Sequence, residues 1–259
     1  MSTRIGERFA QLRKEGRKAF VAFLTAGDPS VERTIAAAGE LERGGADVLE
    51  LGVPFSDPLA DGPVIQRASQ RALERGVTLK TVLEATRAIR ATSALPLLLF
   101  TYFNPLLQYG LTRLAKDAKD AGADGVLVTD LPPEEAGEWL DAARPAGLDT
   151  VFLAAPTSPP ERLRKVAEAS RGFVYAVSRT GVTGERQSLS DDALPLLERL
   201  RGLTREPVVL GFGIAAPEQA REAAQVADGV VVGSALVRFL EEEPQGDLEK
   251  KVRWLKSGM

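Results

Sequence analysis

Eight short runs of apolar, β-favouring residues recur along the chain, and segments with helical spacing separate them. The runs are FVAFLTAG (20–27), DVLELGV (47–53), PLLLFTY (96–102), GVLVTD (125–130), TVFLAA (150–155), FVYAVS (173–178), PVVLGFG (207–213) and GVVVGS (229–234). Each is nearly continuous in apolar residues, as is typical of parallel strands that are covered on both faces. The alternation therefore predicts an α/β fold built on a parallel sheet.

The segments between these runs carry the stop signals of helices. Three of them end in Gly, a common helix terminus: VERTIAAAGELERGG (31–45), PEEAGEWLDAARPAG (133–147) and EQAREAAQVADG (218–229). Eight β/α units in 259 residues match a closed (β/α)8 TIM barrel in both number and length. The charged stretch at residues 1–20 predicts an extra N-terminal amphipathic helix.

The main alternative architecture is an open, doubly wound sheet. That fold normally has fewer strands, and its dinucleotide-binding form carries G-x-G-x-x-G after the first strand. Here the first strand leads into TAGDPS, which lacks that motif. No break in composition and no Ser/Gly-rich linker divides the chain, so we expect residues 1–259 to form a single TIM-barrel domain.

Two missing residue types restrict the chemistry. The chain has no Cys and no His, which removes thiolate nucleophiles, the commonest metal ligand and the usual base at neutral pH. This argues against a metal-dependent aldolase. The lysines lie away from the predicted strand exits, which argues against a Schiff-base aldolase. Acid–base chemistry must then come from Asp, Glu, Lys or Tyr.

Charge and hydropathy restrict the partners. The net charge is −3, and no basic stretch of the kind that follows a phosphate backbone is present, so we expect no nucleic-acid binding. No apolar run reaches about 18 residues, so we expect no membrane span. The charged N-terminus does not have the pattern of a signal peptide. These features predict a cytoplasmic protein.

Glu50 interrupts the otherwise apolar second strand, VLELG. One explanation is a carboxylate that points to solvent at a ragged strand end. However, alternation places Val48 and Glu50 on one side of the strand and Leu49 and Leu51 on the other. If the leucines face the helices, Glu50 points into the barrel mouth. Burial there would raise its pKa and allow it to donate and accept a proton near neutral pH.

Asp57 and Asp61 follow in the loop after this strand. Both have ordinary structural explanations, because SDP is a good turn sequence and DGP could begin a helix, where Asp binds local backbone. In barrels of this kind the active site forms at the C-terminal ends of the strands, and Asp61 lies in the loop attached to the Glu50 strand. Two carboxyls that converge on one pocket would suit acid–base catalysis.

Glycines mark the exits of the last three strands, in GVTG (181–184), GFGI (211–214) and GSALV (233–237). Loops after the last two strands commonly form a phosphate site in barrels, with backbone N–H groups and a helix N-terminus directed at the anion. Gly213 and Gly233 would allow close approach, and Ser234 would add a hydroxyl. Tight βα turns alone would also explain these glycines, but the pattern favours a phosphorylated small ligand.

Apolar and aromatic residues within or at the ends of the strands would form the pocket walls. They suit a flat aromatic substrate, although most of them also fit a plain barrel core. These residues are Phe23, Phe100, Tyr102, Leu127, Leu153, Tyr175 and Phe212.

Taken together, these motifs resemble the tryptophan synthase α subunit family. The resemblance rests on FLTAGDP, ELGVPFSDPLADGPVIQRAS, TYFNPL, SRTGVTG, GFGI and VVGSALV, which occur in order along the whole chain with matching spacing. It implies retro-aldol cleavage of indole-3-glycerol phosphate to indole and glyceraldehyde 3-phosphate, in tryptophan biosynthesis. It also implies no metal and no organic cofactor in this subunit, and a β subunit as the partner in an α2β2 heterotetramer.

The resemblance also implies roles for individual residues. Glu50 matches the acid–base carboxylate, and Asp61 matches the carboxylate that binds the ring N–H. Thr183 matches the residue that contacts this Asp when the loop closes. The phosphate site would contain Gly184, Gly213, Gly233 and Ser234. The indole pocket would contain Phe23, Leu127, Leu153, Tyr175 and Phe212, and the loops that face the β subunit would contain Asp57, Asn104 and Pro105. Phe100 and Thr129 depart from the residues expected at wall positions.

Three other functions fit parts of the pattern. A stand-alone indole-3-glycerol phosphate lyase that releases free indole would keep the chemistry without the partner, although Asp57 and the FNPL loop favour a β subunit. A phosphosugar isomerase would share the glycines, but it would normally place a base after the sixth strand, where this chain has VSRTG. An inactive phosphate-binding barrel would not need Glu50 and Asp61.

Overall fold

The computed structural model describes residues 3–177, 192–211 and 213–259, and its centre is a parallel sheet. The strands are β1 (Ala19–Thr25), β2 (Val48–Gly52), β3 (Leu97–Thr101), β4 (Gly125–Val128), β5 (Asp149–Val151), β6 (Leu153–Ala154), β7 (Val174–Val177), β8 (Val208–Gly211) and β9 (Gly229–Val232). Their order in the sheet is β5-β4-β3-β2-β1-β9-β8-β7-β6. The nearly continuous apolar runs therefore became parallel strands, as predicted.

The sheet closes on itself because β5 and β6 are two parts of one strand. Only Phe152 separates them, and its carbonyl still accepts the N–H of Tyr175 at 3.1 Å. β5 pairs with β4, and β6 pairs with β7. Counted in this way, eight parallel strands form the barrel in the described part of the chain, and each of the eight predicted runs overlaps one of them. The predicted (β/α)8 TIM barrel is confirmed.

Helices cover the outside of the barrel and its N-terminal end. They are α1 (Arg4–Lys14), α2 (Val31–Gly44), α3 (Pro63–Glu74), α4 (Leu79–Arg90), α5 (Phe103–Tyr109), α6 (Leu111–Ala121), α7 (Gly137–Ala143), α8 (Pro160–Ala169), α9 (Ala193–Arg201), α10 (Pro217–Val226), α11 (Ser234–Glu242) and α12 (Leu248–Lys256). Within the described ranges, no helix combines the length and the apolar character that crossing a membrane requires.

Local sequence explains where these helices begin and end. The Ser30 side chain caps α2 by accepting the Arg33 N–H at 3.1 Å, and Gly45 ends it in the left-handed conformation, at φ 98°. The segment predicted to be helical from residue 133 begins only at Gly137. The Glu135 N–H bonds the carbonyl of Pro132 at 3.0 Å, so a turn replaces the first part of the predicted helix.

Side-chain alternation divides the strand residues between two apolar clusters. Leu49 and Leu51 lie in the outer cluster, between the barrel and its helices, whereas Val48 lies in the inner cluster. Strand residues from around the barrel join Val48 there: Val21, Phe23, Leu98, Leu127, Val151, Tyr175, Val209 and Val231. The barrel interior is therefore a packed core.

The predicted N-terminal amphipathic helix is α1, and in the structure it closes the N-terminal end of this core. Its apolar side chains Ile5, Phe9 and Leu12 belong to the inner cluster, and the Phe9 and Phe173 rings lie 5.7 Å apart. Arg8, on the polar side of the helix, forms an ion pair with Asp47 at 2.5 Å.

Buried or partly buried aspartates fix the strands at the same end. Asp47, Asp124 and Asp228 each stand directly before a strand. Each accepts a backbone N–H at the start of the neighbouring strand, at 2.8, 2.9 and 2.9 Å, respectively. These bonds hold the register at the N-terminal edge of the sheet, which leaves the C-terminal edge for the candidate site.

Candidate active site

Glu50 lies on the inner face of the barrel near the C-terminal end of β2. Its register partners are Phe23 on β1 and Leu98 on β3, and both belong to the inner cluster. Because residues in register on parallel strands project to the same face, the carboxyl projects inward. The side chain is fully buried. Neither carboxyl oxygen has a hydrogen-bond partner among the described residues.

This burial changes the acidity of the carboxyl. It raises the pKa of Glu50 to about 8, because apolar surroundings disfavour the charged form. Most of the Glu50 population is therefore protonated at pH 7. A carboxyl held in this state can give a proton to a reacting atom, and its conjugate base can take one back.

Two glycines make room for the aromatic rings beside Glu50. A Cβ on Gly52 would lie 2.5 Å from Cζ of Phe23, and a Cβ on Gly211 would lie 2.5 Å from Cε1 of Tyr175. Any larger residue at either position would displace a ring that belongs to the inner cluster. The two glycines therefore determine how the rings of Phe23 and Tyr175 are placed.

Asp61 is the second carboxyl of the site, and it is 4% exposed. The Tyr102 hydroxyl donates to its Oδ2 at 2.9 Å. Burial raises the pKa of Asp61 to about 6, and the bond from Tyr102 limits this rise. The N-cap of α3 is Gly62, so the explanation of Asp61 as a helix cap is wrong.

Electrostatics connect the two carboxyls to one tyrosine of the barrel interior. Burial raises the pKa of the Tyr175 phenol on β7, and the negative charges of Glu50 and Asp61 raise it further. Charges act over short distances in this way. The structure therefore brings Tyr175 close to two carboxyls that lie more than 110 residues earlier in the sequence.

The predicted pocket walls surround these groups. Phe23, Leu127 and Tyr175 are buried in the inner cluster, and Leu153 is partly buried against it. Phe100 packs edge-on against Phe23, with ring centroids 5.2 Å apart. The Thr129 hydroxyl, which the sequence marked as a departure, donates to the carbonyl of Thr101 at 3.1 Å. Phe212 lies outside the described residues.

The predicted phosphate-binding residues lie at the exits of β8 and β9. Gly213 has φ 80°, which favours glycine. Gly233 is the N-cap of α11, and Ser234 is its buried first residue. Phe23, the register partner of Glu50, also lies next to this site, because a Cβ on Gly233 would lie 3.5 Å from Cβ of Phe23. Thr183 and Gly184 lie outside the described residues.

The residues predicted to face a partner lie at the surface. Asp57 and Asn104 are exposed and Pro105 is partly exposed. Leu59 is 85% exposed in the same loop as Asp57, and Leu107 is 53% exposed on the same helix as Asn104. The Asp57 carboxylate accepts the Ser56 hydroxyl, and within the described residues no hydrogen bond joins it to Glu50 or Asp61.

Sequence reasoning missed several residues of the site. It did not find the bond between Tyr102 and Asp61, which joins residues 41 positions apart. It also missed Thr25, a buried residue in register with Gly52 whose hydroxyl has no partner among the described residues. Only Gly52 could have been recognised from the sequence, since a glycine inside a strand often marks a place where another group packs closely against the backbone.

Comparisons with known proteins identify the family of this chain. A family model described as "Tryptophan synthase alpha chain" matches residues 9–257. The tryptophan synthase alpha chain of Solibacter usitatus (strain Ellin6076) is 55% identical, over 99% of this chain and 98% of the relative. That of Geobacter sp. (strain M21) is 52% identical, over 95% of this chain and 92% of the relative.

Solved structures give the same result. A chain of Mycobacterium tuberculosis tryptophan synthase superposes with a TM-score of 0.93 at 42% identity, covering 100% of this chain and 98% of that chain. The alpha subunit from Legionella pneumophila str. Paris gives a TM-score of 0.88 at 35% identity, with 100% and 98% coverage. With its barrel, its inward Glu50 and these matches, the chain belongs to the tryptophan synthase alpha chain family.

Proposed function

We propose that this protein cleaves indole-3-glycerol phosphate to indole and glyceraldehyde 3-phosphate, as the α subunit of a tryptophan synthase, with Glu50 as the general acid–base. The observation that carries the assignment of Glu50 is its complete burial on the inner face without a hydrogen-bond partner among the described residues. A structural carboxyl would normally be paired, whereas perturbed, unpaired carboxyls are concentrated at functional sites.

The chemistry requires an acid that later acts as a base. Protonated Glu50 gives its proton to the indole ring carbon that bears the side chain, and the ring becomes a cation. The Glu50 carboxylate then takes the proton from the hydroxyl on the adjacent side-chain carbon. The carbon–carbon bond breaks, its electron pair returns to the ring, and the aldehyde forms. Glu50 ends the cycle protonated, and a positioned acid–base of this kind contributes about 10²–10⁴ in rate.

Asp61 would stabilise the cation in this sequence. Its carboxylate would accept the ring N–H and offset the positive charge that develops on the protonated ring. A pKa of about 6 leaves Asp61 mostly ionised at pH 7, whereas Glu50, at about 8, is mostly protonated. Two carboxyls whose environments separate their pKa values in this way suit two different roles.

The remaining predicted residues would hold the substrate. Gly213, Gly233 and Ser234, with Gly184, would bind the phosphate through backbone N–H groups and the start of α11. The walls formed by Phe23, Leu127, Leu153, Tyr175 and Phe212 would hold the flat ring system. Thr183 would contact Asp61 when its loop closes. Phosphate binding on one side and ring binding on the other would orient the reacting bond.

A β subunit is the proposed partner, in an α2β2 complex. Beside Asp57, a surface groove of about 440 Å³ is lined by Phe55, Pro58, Leu59, Gln66, Arg67 and Gln70. The exposed Leu59 and Leu107 flank the residues predicted to face the partner. Exposed apolar side chains that are surrounded by polar residues are typical of protein interfaces. We also propose that the complex acts in the cytoplasm.

The relatives described above bear the alpha chain name, which favours the α-subunit role over the stand-alone lyase. The experiment that tests this proposal is to incubate the purified protein with indole-3-glycerol phosphate, with and without a tryptophan synthase β subunit, and to measure indole. We expect slow cleavage alone and faster cleavage with the partner, because the partner would favour closure of the loops at the site. Full activity alone would favour the stand-alone lyase, and no indole under either condition would refute the cleavage reaction.

A further inference from the structure

Tyr102 contacts the loop that carries Asp61 at three points. Its phenol oxygen accepts the Ala60 N–H at 3.1 Å, and its hydroxyl donates to Asp61 Oδ2 at 2.9 Å. Its ring lies 5.0 Å from the ring of Phe55, centroid to centroid. Tyr102 directly follows β3 and is buried. One rigid side chain therefore fixes both the backbone and the carboxylate of this loop against the barrel.

The pattern of hydrogen bonds determines which group the phenol hydrogen serves. A backbone N–H can only donate, so the phenol oxygen is the acceptor for Ala60, and its hydrogen is directed to Asp61. A donor that points at a carboxylate stabilises the ionised form relative to the neutral form. Burial acts on Asp61 in the opposite direction. Tyr102 is therefore placed to offset the effect of burial on this carboxyl.

We propose that Tyr102 is a positioning residue for the cleavage reaction, which holds Asp61 ionised and oriented toward the substrate ring N–H. In this role Tyr102 acts through Asp61. The sequence suggests a different role, in which the Tyr102 ring only supplies apolar surface to the pocket wall. The inference rests on the proposed function, since it requires a substrate N–H that Asp61 binds.

Other charged groups near this loop have partners of their own. Asp57 accepts a hydroxyl from its neighbour in the loop, and Asp130, after β4, accepts a backbone N–H of α5. Arg67 and Arg71, on the helix after the loop, pair with Glu241 of α11. Within the described ranges, none of these groups is hydrogen-bonded to the Asp61 carboxylate.

Among the described residues, two buried tyrosines interact with the Asp61 carboxyl. Tyr102 donates a hydrogen bond to Asp61. Burial raises the pKa of Tyr102 and of Tyr175, and the negative charge of Asp61 raises both pKa values further. Glu50, the other buried carboxyl of the pocket, also acts on Tyr175. A variant that removes only the Tyr102 hydroxyl would therefore act on Asp61 and leave the acidity of Glu50 nearly unchanged.

The test is the pH dependence of kcat/KM for indole-3-glycerol phosphate cleavage in the α–β complex, for the wild type and for Tyr102→Phe. Loss of the phenol hydrogen should move the acidic midpoint up by about one pH unit, since bonds to charged groups are strong. The variant should then be about tenfold less active below pH 6 and less than about twofold less active near pH 7.5. The alkaline midpoint, which Glu50 sets, should not move.

Two controls separate this effect from others. The substrate phosphate also titrates near pH 6 (about the second pKa of a phosphate ester), but it does so equally for every variant. Tyr109→Phe removes a phenol that donates to Asp117 at 2.7 Å outside the pocket, and its profile should match that of the wild type. In an Asp61→Asn background, Tyr102→Phe should lose its pH-dependent effect.

A Tyr102→Phe profile that falls equally at every pH, or whose acidic midpoint is unmoved, would overturn the inference and leave the proposed function intact. A wild-type complex that releases no indole would instead refute the proposed function. If Tyr102→Phe unfolds at a much lower temperature than the wild type, 3-fluorotyrosine at position 102 serves as the second variant. This stronger hydrogen donor should move the acidic midpoint down, and an unmoved or higher midpoint would overturn the inference.

Discussion

Glu50 and Phe23 occupy matching positions in the parallel pair of β2 and β1, so the carboxyl and the ring leave the sheet side by side on its inner face. The ring then lies over Gly52, the next inward position on β2. This places an apolar surface directly beside the acid. The same neighbour that would support a flat substrate also keeps water from the carboxyl, and the loss of hydration raises its pKa.

Replacement of Glu50 by Gln should remove cleavage without removing substrate binding. The amide has nearly the same size but cannot carry the proton, so we expect kcat to fall by at least about 10²–10⁴. The dissociation constant for indole-3-glycerol phosphate should change little, because the phosphate and ring contacts remain. Indole release and equilibrium binding measure the two quantities. Turnover within threefold of the wild type would exclude Glu50 from the proposed role.

The same substitution should change how stability depends on pH. The folded-state pKa of about 8 lies above the ordinary value of 4.5, so the Glu50 contribution to stability is fully present below about pH 4.5 and is lost as pH rises toward 8. At pH 7 the loss is about 3 kcal/mol. Because Gln does not titrate, the unfolding free energy of Glu50→Gln relative to the wild type should rise by about 1.4 kcal/mol for each pH unit between 5 and 8.

Chemical denaturation at several pH values measures this difference. Glu84→Gln, at an exposed position on α4, is the matched control, and its difference from the wild type should stay nearly constant over the same range. A flat difference for Glu50→Gln would mean that Glu50 is hydrated or paired in solution.

Gly52→Ala should damage both stability and activity, because its Cβ would collide with the Phe23 ring. We expect a loss of about 1–3 kcal/mol in unfolding free energy. We also expect kcat/KM to fall by tenfold or more, since displacements of about 1 Å near a reacting group are costly. Gly137→Ala on α7, where nothing lies within 4 Å of the new Cβ, should be neutral or stabilising by up to about 1 kcal/mol. Equal effects of the two substitutions would contradict the proposed packing constraint.

Leu59→Asp should weaken binding of the β subunit without destabilising the isolated chain. Leu59 is 85% exposed, so little folding free energy depends on it. If it anchors the interface, the loss should be about 2 kcal/mol, or roughly 30-fold in Kd. Titration calorimetry against the β subunit gives Kd directly. Leu203→Asp, between α9 and β8 at the other end of the barrel, should leave Kd unchanged; if both substitutions weaken binding alike, the partner surface is elsewhere.

The barrel could be predicted from the sequence because its signal is repeated eight times. Each strand is buried on both faces, so each run is apolar throughout and stands out from the helices. The interruption at Phe152 could not be predicted, because it lies inside an apolar run and depends on where β4 and β7 pair. The late start of α7 depends on a local turn, in which two prolines precede residues with good helix propensity.

The orientation of Glu50 could also be predicted, since alternation with its leucine neighbours leaves only one face for it. The partner of Asp61 could not. Tyr102 follows a different strand and lies 41 positions from Asp61 in the sequence. No local pattern indicates which of several tyrosines would bind the Asp61 carboxyl. The aspartates before the strands were likewise missed, because their acceptors lie on neighbouring strands.

The helix that closes the N-terminal end of the barrel has a consequence for biosynthesis. The ribosome releases α1 well before the residues that it packs against, since the Phe9 ring contacts the ring of Phe173, which emerges 164 residues later. The nascent polypeptide therefore carries an amphipathic segment whose apolar side stays uncovered until the region around Phe173 has been made. Docking of that segment therefore occurs long after its synthesis, and chaperones that recognise exposed apolar surface have access to it in the interval.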